Sequence, residues 1–306
     1  MIDAIVWFFS HVVGGIVSLF TILTSPSAWP TLANLTSMEW LVRVIYYGAS
    51  AEFFFVIFDL AVIILIIGLW RRQFLWGVVR ATEGLNNWIG RLAAWAALIM
   101  VLQQVMIIAV QRMFRLSEIS MGPFGYTFTK DISWFAEELK LYNALIVALC
   151  AAYTFIQGGH VRVDLFYSAM SYRGKRITDM LGSLFFVLPF MTIVWLFGWA
   201  FMWRHLITPK VATTTTLEQL ERKIRVTKWN VETIGFSPNG FDGYFLFKIL
   251  LISFAGLMFL QGLSFFYRNL LELIEGPESY GKYLDRDQDL ETDSDGPAPA
   301  EVSHSA

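Results

Sequence analysis

Residues 157–165 read QGGHVRVDL, and they sit where one long apolar run ends and the chain prepares to enter another. Gly158 and Gly159 stop a helix, after which His160, Arg162 and Asp164 alternate with Val161, Val163 and Leu165. That alternation is the pattern of a short amphipathic connector at a bilayer surface, with charges toward water and aliphatics toward lipid or protein. Arg162 and Asp164, two positions apart, share one side of such an extended stretch. The apolar runs on either side of this connector set the fold.

The chain has 306 residues, of which 56% are hydrophobic and only 16% charged. A soluble domain carries about a quarter charged residues. Several uninterrupted apolar runs exceed the roughly 18 residues that mark a transmembrane helix. The class is therefore an all-α integral membrane protein. The single cysteine, Cys150, lies inside an apolar run, which excludes an intramolecular disulfide and a cysteine metal cluster. The formal charge of −2 says little about partners, and no feature points to nucleic acid. The first apolar run lacks a basic leader, so no removable signal peptide is expected.

Six apolar segments are legible, at about residues 4–23, 41–70, 89–113, 139–157, 177–207 and 244–271. The first is the weakest, because Ser10, His11, Gly14 and Gly15 dilute it, and it either spans or lies in the interface. Between segments, residues 71–91 carry Arg71, Arg72, Arg80 and Arg91 against Glu83 and read as a basic loop. Residues 160–176 are similarly basic, with Arg162, Arg173, Lys175 and Arg176 against Asp164. Placing both basic loops in the cytoplasm satisfies the positive-inside tendency and puts both termini there too. The long 208–243 connection then lies outside despite its own cations, and within it residues 217–227 read as a charged, helix-prone stretch. Three regions follow: an N-terminal two-helix extension with its basic loop (1–88), a four-helix membrane domain (89–276) and an acidic, disordered tail (277–306). No internal repeat appears, which argues against a self-contained inverted-repeat carrier.

Polar groups inside the apolar runs are the candidate functional positions. Glu52 and Asp59 are seven residues apart and share a helix face. An unpaired charge at a bilayer centre costs about 2.5–3.5 kcal/mol, so both should face protein or water. An ion path and a structural contact are both open, and the absence of a second acidic helix favours the structural one. Gln103, Gln104, Gln111, Gln157 and Gln261 read as interhelical hydrogen-bonding amides. Gly90, Ala93, Ala94 and Ala97 form a small-residue face for close helix approach, and Pro189 should kink the fifth segment. His11, His160 and His205 are weighed as haem ligands of an electron-transfer anchor, but the proposed topology separates His160 and His205 across the membrane. No nucleophile elbow, phosphate loop or zinc spacing supports an enzyme.

Residues 133–142, SWFAEELKLY, carry more information. Ser133 reads as a helix cap, Glu137 and Glu138 as acids in the first turns, and Trp134 with Phe135 as interfacial anchors. The stretch is either the start of an ordinary membrane helix or a lateral arm that touches another subunit.

Taken in order, VQRMF, SWFAEELKLYNALIV, QGGHVRVDLF, a basic turn and LQGLSFFYRNLLELIEG resemble the small membrane subunit of tripartite ATP-independent periplasmic (TRAP) transporters, the DctQ type. The likeness covers about residues 90–276. It implies about six transmembrane helices, a four-helix core with two extra helices in front, and short interfacial arm helices. It also implies an accessory, non-catalytic role in the bacterial inner membrane, without a cofactor. The implied partners are membrane lipids, a large elevator-type DctM subunit and a periplasmic solute-binding protein, with sodium-driven uptake of an organic acid or related solute. Trp134, Glu137, Glu138, His160, Arg162, Asp164 and Gln261 are the residues expected at structural or subunit-interface positions.

Overall fold

The computed structural model describes residues 2–24, 37–121, 128–158, 167, 170–212, 214–233 and 239–285. Among these residues, five helices are long and apolar enough to cross a membrane. They are α3 (Ala51–Trp70), α4 (Arg72–Arg112), α5 (Ile132–Ile156), α6 (Tyr172–Trp203) and α8 (Phe245–Glu275). Ahead of them, α1 (Ile2–Thr24) has a shorter apolar stretch, Ile5–Thr21. The short helices are α2 (Met38–Tyr47) and α7 (Leu217–Arg222). The described residues also form two small antiparallel pairs: β1 (Glu118–Met121) with β2 (Phe128–Asp131), in register Glu118 to Asp131, and β3 (Ile207–Thr208) with β4 (Lys228–Trp229).

The second apolar segment is two helices, not one. After Tyr47 the chain turns at Gly48, and Ser50 restarts it by accepting a hydrogen bond from Phe53 N at 3.2 Å. The turn is held from α6, where Trp195 Nε1 donates to Gly48 O at 2.9 Å and Trp199 Nε1 to Ile45 O at 3.1 Å. A Cβ on Gly48 would lie 2.3 Å from the Trp199 ring, so glycine is what lets α6 come this close.

The stretch 71–91, read as a loop, is helical and continuous with the third span. Its buried positions, Leu75, Val79, Glu83, Asn86, Gly90 and Ala93, recur every three or four residues. That spacing is the stripe of an amphipathic helix, which its arginines obscured. At 1.5 Å per residue the 41-residue α4 is about 60 Å long, twice a hydrocarbon core of about 30 Å.

The other departures are local. The fourth span begins at Ile132 with Asp131 as its N-cap residue, so Ser133 sits inside the first turn and SWFAEELKLY is the entry of α5, not a separate arm. Pro189 leaves α6 continuous, and the helix widens into a π turn at Ser183–Val187 just before it. A proline ring clashes with the carbonyl four residues back, and a wider turn relieves that clash. Residues 277–285, assigned above to the tail, fold back on the bundle through a 3-10 turn at Pro277–Ser279.

The central helix is α8, which packs against α4, α5 and α6. Successive spans run antiparallel: Gln103 of α4 meets Glu138 of α5, whereas Gly90 meets Tyr153. One end of the bundle carries the β1–β2 and β3–β4 pairs and α7. There Leu41, Val42, Ile45, Trp203 and Leu220 form an apolar cluster that seats α2 and α7 on the end of α6. The opposite end carries the close of α5 and the start of α6.

Candidate functional site

At the hairpin end, the first turns of α5 hold three chain segments together. Trp134 Nε1 donates to Asp242 Oδ1 at 3.2 Å, and its ring meets Phe241 edge-on with centroids 5.3 Å apart. Glu137 Oε2 accepts from Phe241 N at 2.9 Å. Glu138 points the other way, accepting from Gln103 Nε2 at 3.0 Å and from the Tyr142 hydroxyl at 3.3 Å. The two acids therefore fasten α5 to the approach to α8 and to α4. Burial, and then the nearby Glu137 carboxylate, push the Tyr244 hydroxyl above its ordinary range and keep it protonated.

At the other end, α5 closes at Gln157 and Gly158, the latter with a left-handed φ of 75°. His160, Arg162 and Asp164 lie outside the described residues. Gln157 donates from Nε2 to Asp285 O at 3.1 Å. Asp285 also accepts from Asn87 Nδ2 at 3.1 Å and from Arg91 Nη2 at 3.0 Å, so the folded-back segment ties α4 to the close of α5.

Beneath that tie lies a network that residue order alone did not reveal. Arg268 of α8 engages Glu83 of α4 with two nitrogens, Nε to Oε1 at 2.8 Å and Nη2 to Oε2. Its remaining nitrogen, Nη1, donates to Lys282 O at 2.8 Å. Arg176 of α6 reaches Asn269 Oδ1 at 3.0 Å, and its Nε lies 3.2 Å from Glu272 Oε2. The Arg176 guanidinium sits between the Tyr172 and Tyr280 rings, 5.1 and 4.9 Å from their centroids. One turn deeper, Gln261 is fully buried and accepts from Asn86 Nδ2 at 2.8 Å. A cavity of ≈ 40 Å³ among these groups exceeds the roughly 10–15 Å³ that one water requires. The available signal was Arg268, a cation inside an apolar run, which demands a buried acid as partner.

Glu52 and Asp59 share a stripe but not an environment. Glu52 is exposed in the first turn of α3, whereas Asp59 is only 3% exposed and lies under α1. Its Oδ2 has no hydrogen-bond partner, and a Cβ on Gly15 would fall 2.1 Å from it. The glycine that weakened the first apolar run is thus the position where α1 closes over Asp59. Trp7 and Phe8 extend the contact, with ring centroids 5.6 and 5.5 Å from Phe55. The small-residue face on α4 is used within the chain, since Gly90 lies against Tyr153, where a Cβ would meet another at 2.3 Å. His205 has both ring nitrogens engaged, Nδ1 with Phe201 O at 2.8 Å and Nε2 with Glu232 at 3.4 Å. His11 Nδ1 lies 2.8 Å from Trp7 O.

Chemically, the groups at the two ends of the bundle hold helices together: their charges are met by opposite charges, amides or aromatic faces, Asp59 stands apart beneath α1, and the described residues present no activated nucleophile. Residues 124–223 match the family model described as tripartite ATP-independent periplasmic transporters, DctQ component. The matched region runs from before α5, through the connector and α6, to just past α7. Comparison with curated proteins and with solved structures returned no match. Residues 124–223 are thus similar to a DctQ component, which is part of a transporter and not an enzyme.

Proposed function

We propose, from the DctQ domain at residues 124–223, that this chain is the small accessory subunit of a TRAP secondary transporter in the bacterial inner membrane. It braces a large DctM-type permease subunit that moves while this chain stays still. A periplasmic binding protein delivers an organic acid or related solute, and a sodium gradient drives uptake. With α1 as a sixth crossing, both termini face the cytoplasm, so the Glu83–Arg268 end of the bundle is cytoplasmic and the hairpin end faces the binding protein.

The family match carries this reading, and the internal chemistry supports a static role. Side chains that could serve a moving ion path are instead committed to one another across α4, α6 and α8. Trp134, Glu137, Glu138 and Gln261 act as bracing positions inside the chain, and His160, Arg162 and Asp164 act at the boundary with the large subunit. Residues 89–276 form the membrane domain common to such subunits, and residues 1–88 extend it.

Two measurements test the proposal. Affinity purification of this chain from its native membrane should bring down a much larger multi-span protein. Deleting the chain should abolish sodium-dependent solute uptake in cells that retain the large subunit and the binding protein. Unchanged uptake in the deletion strain would remove the essential role. Paired replacement of Arg162 and Asp164 should reduce assembly without affecting membrane insertion.

A further inference from the structure

We infer that a groove on the outer surface of α6 and α8, rimmed by Arg204 and Lys248, is a binding site for an anionic phospholipid. The groove has a volume of ≈ 590 Å³, in the range of small-ligand sites. Phe197, Phe201, Val211 and Leu251 line its walls. Phe197 and Phe201 are 67% and 48% exposed on the face of a spanning helix, so this surface meets acyl chains.

The rim is cationic and sits where a headgroup would. Arg204 follows the last residue of α6, and Lys248 lies in the first turn of α8, so both mark span ends. The Lys248 Nζ is 5.0 Å from the centroid of the Phe201 ring that lines the groove. Among the described residues, no carboxylate lies within ion-pair distance of Arg204 or Lys248. Glu232 is shared by His205 at 3.4 Å and Lys210 at 3.8 Å, leaving Arg204, Lys210 and Lys248 against one acid. Cations at a bilayer boundary, here the exposed Arg204 and the half-buried Lys248, attract anionic headgroups. An apolar trough running down from them accepts one acyl chain of the same molecule. Charge above and hydrocarbon below select a phospholipid over a free anion or a purely apolar ligand. The Val211 wall comes from the stretch that follows β3, so the groove depends on Val211 and Ala212 lying against α6.

The test is the rise in unfolding temperature of the full-length chain in detergent on adding phosphatidylglycerol, phosphatidylcholine or inorganic phosphate. Phosphatidylglycerol should stabilise the chain, and the other two should not. Arg204→Gln with Lys248→Gln should raise the phosphatidylglycerol concentration needed by roughly 5-fold per cation removed, or about 25-fold together. Ala212→Trp, which fills the groove without changing charge, should weaken the response equally and guards against misfolding of the charge variant. An equal shift with inorganic phosphate would make this a simple anion site and overturn the proposal. An undiminished response in both variants would also overturn it. No response to phosphatidylglycerol in the native chain would leave the groove to a protein partner and end the lipid reading.

Discussion

Arg268 and Glu83, 185 residues apart, form a two-pronged buried ion pair between α8 and α4. Burying two charges is costly, and attraction repays that cost only when geometry and extra hydrogen bonds are good. Here the Arg268 guanidinium also serves Lys282 O and lies 5.4 Å from the centroid of the Trp76 ring. Removing Arg268 alone strands a buried carboxylate. Arg268→Leu should therefore cost about 3–5 kcal/mol, and Arg268→Leu with Glu83→Leu distinctly less. Thermal unfolding in detergent of the two variants separates these outcomes, and equal losses would show that the pair is not coupled.

Residues 277–285 cover the network: Gly281 N donates to Glu272 at 3.3 Å, and Tyr280 stacks on Arg176. A chain ended after Gly276 should unfold at a lower temperature and be cut faster by protease near Arg176. A chain ended after Asp285 should behave as the full-length one does. The Asp285→Asn substitution should matter little, because its Arg91 pair is about half exposed on both sides, and such pairs contribute under about 1 kcal/mol.

Neighbouring glycines of α1 should respond oppositely. A Cβ added at Gly14 would meet nothing within 4 Å, whereas one at Gly15 would press on Asp59 and the Phe55 backbone. Gly14→Val should be nearly silent. Gly15→Val should push α1 off α3 at a cost of about 1–3 kcal/mol. Cysteine cross-linking between the Phe8 and Phe58 positions, whose ring centroids lie 6.0 Å apart, reads the displacement directly, and similar yields in the two variants would refute the close approach.

Contacts at the entry of α5 can be graded. Trp134→Phe keeps the ring against Phe241 and loses only the bond to Asp242, a loss of about 0.5–1.5 kcal/mol at most, reduced by exposure. Glu137→Gln keeps an acceptor for Phe241 N and should be milder than Glu137→Ala. Hydrogen exchange at Phe241 distinguishes them, because only the alanine variant should release that amide.

Much of this architecture is legible in the residue order, because lipid imposes a simple rule. A run too apolar for water must become a helix long enough to cross, and the spans and the helix stop at Gly158 follow from local composition. The rule weakens where polar residues sit on the hidden side of a helix. Arginines made 71–91 resemble a loop, although Leu75, Val79 and Asn86 already kept helical spacing. Likewise Gly48 and Ser50 break what composition presents as one span, because a turn there depends on Trp195 and Trp199 arriving from α6.

Composition and periodicity alone determined that the chain is helical and built of runs long and apolar enough to cross a membrane. Only the tertiary structure decided which charges meet: Glu83 with Arg268, Arg176 with Glu272, and Asp59 alone beneath Gly15. Burial in hydrocarbon is a property of each segment and can be summed along the chain. Pairing inside it depends on the angles and depths at which distant helices cross, and no single segment carries that information.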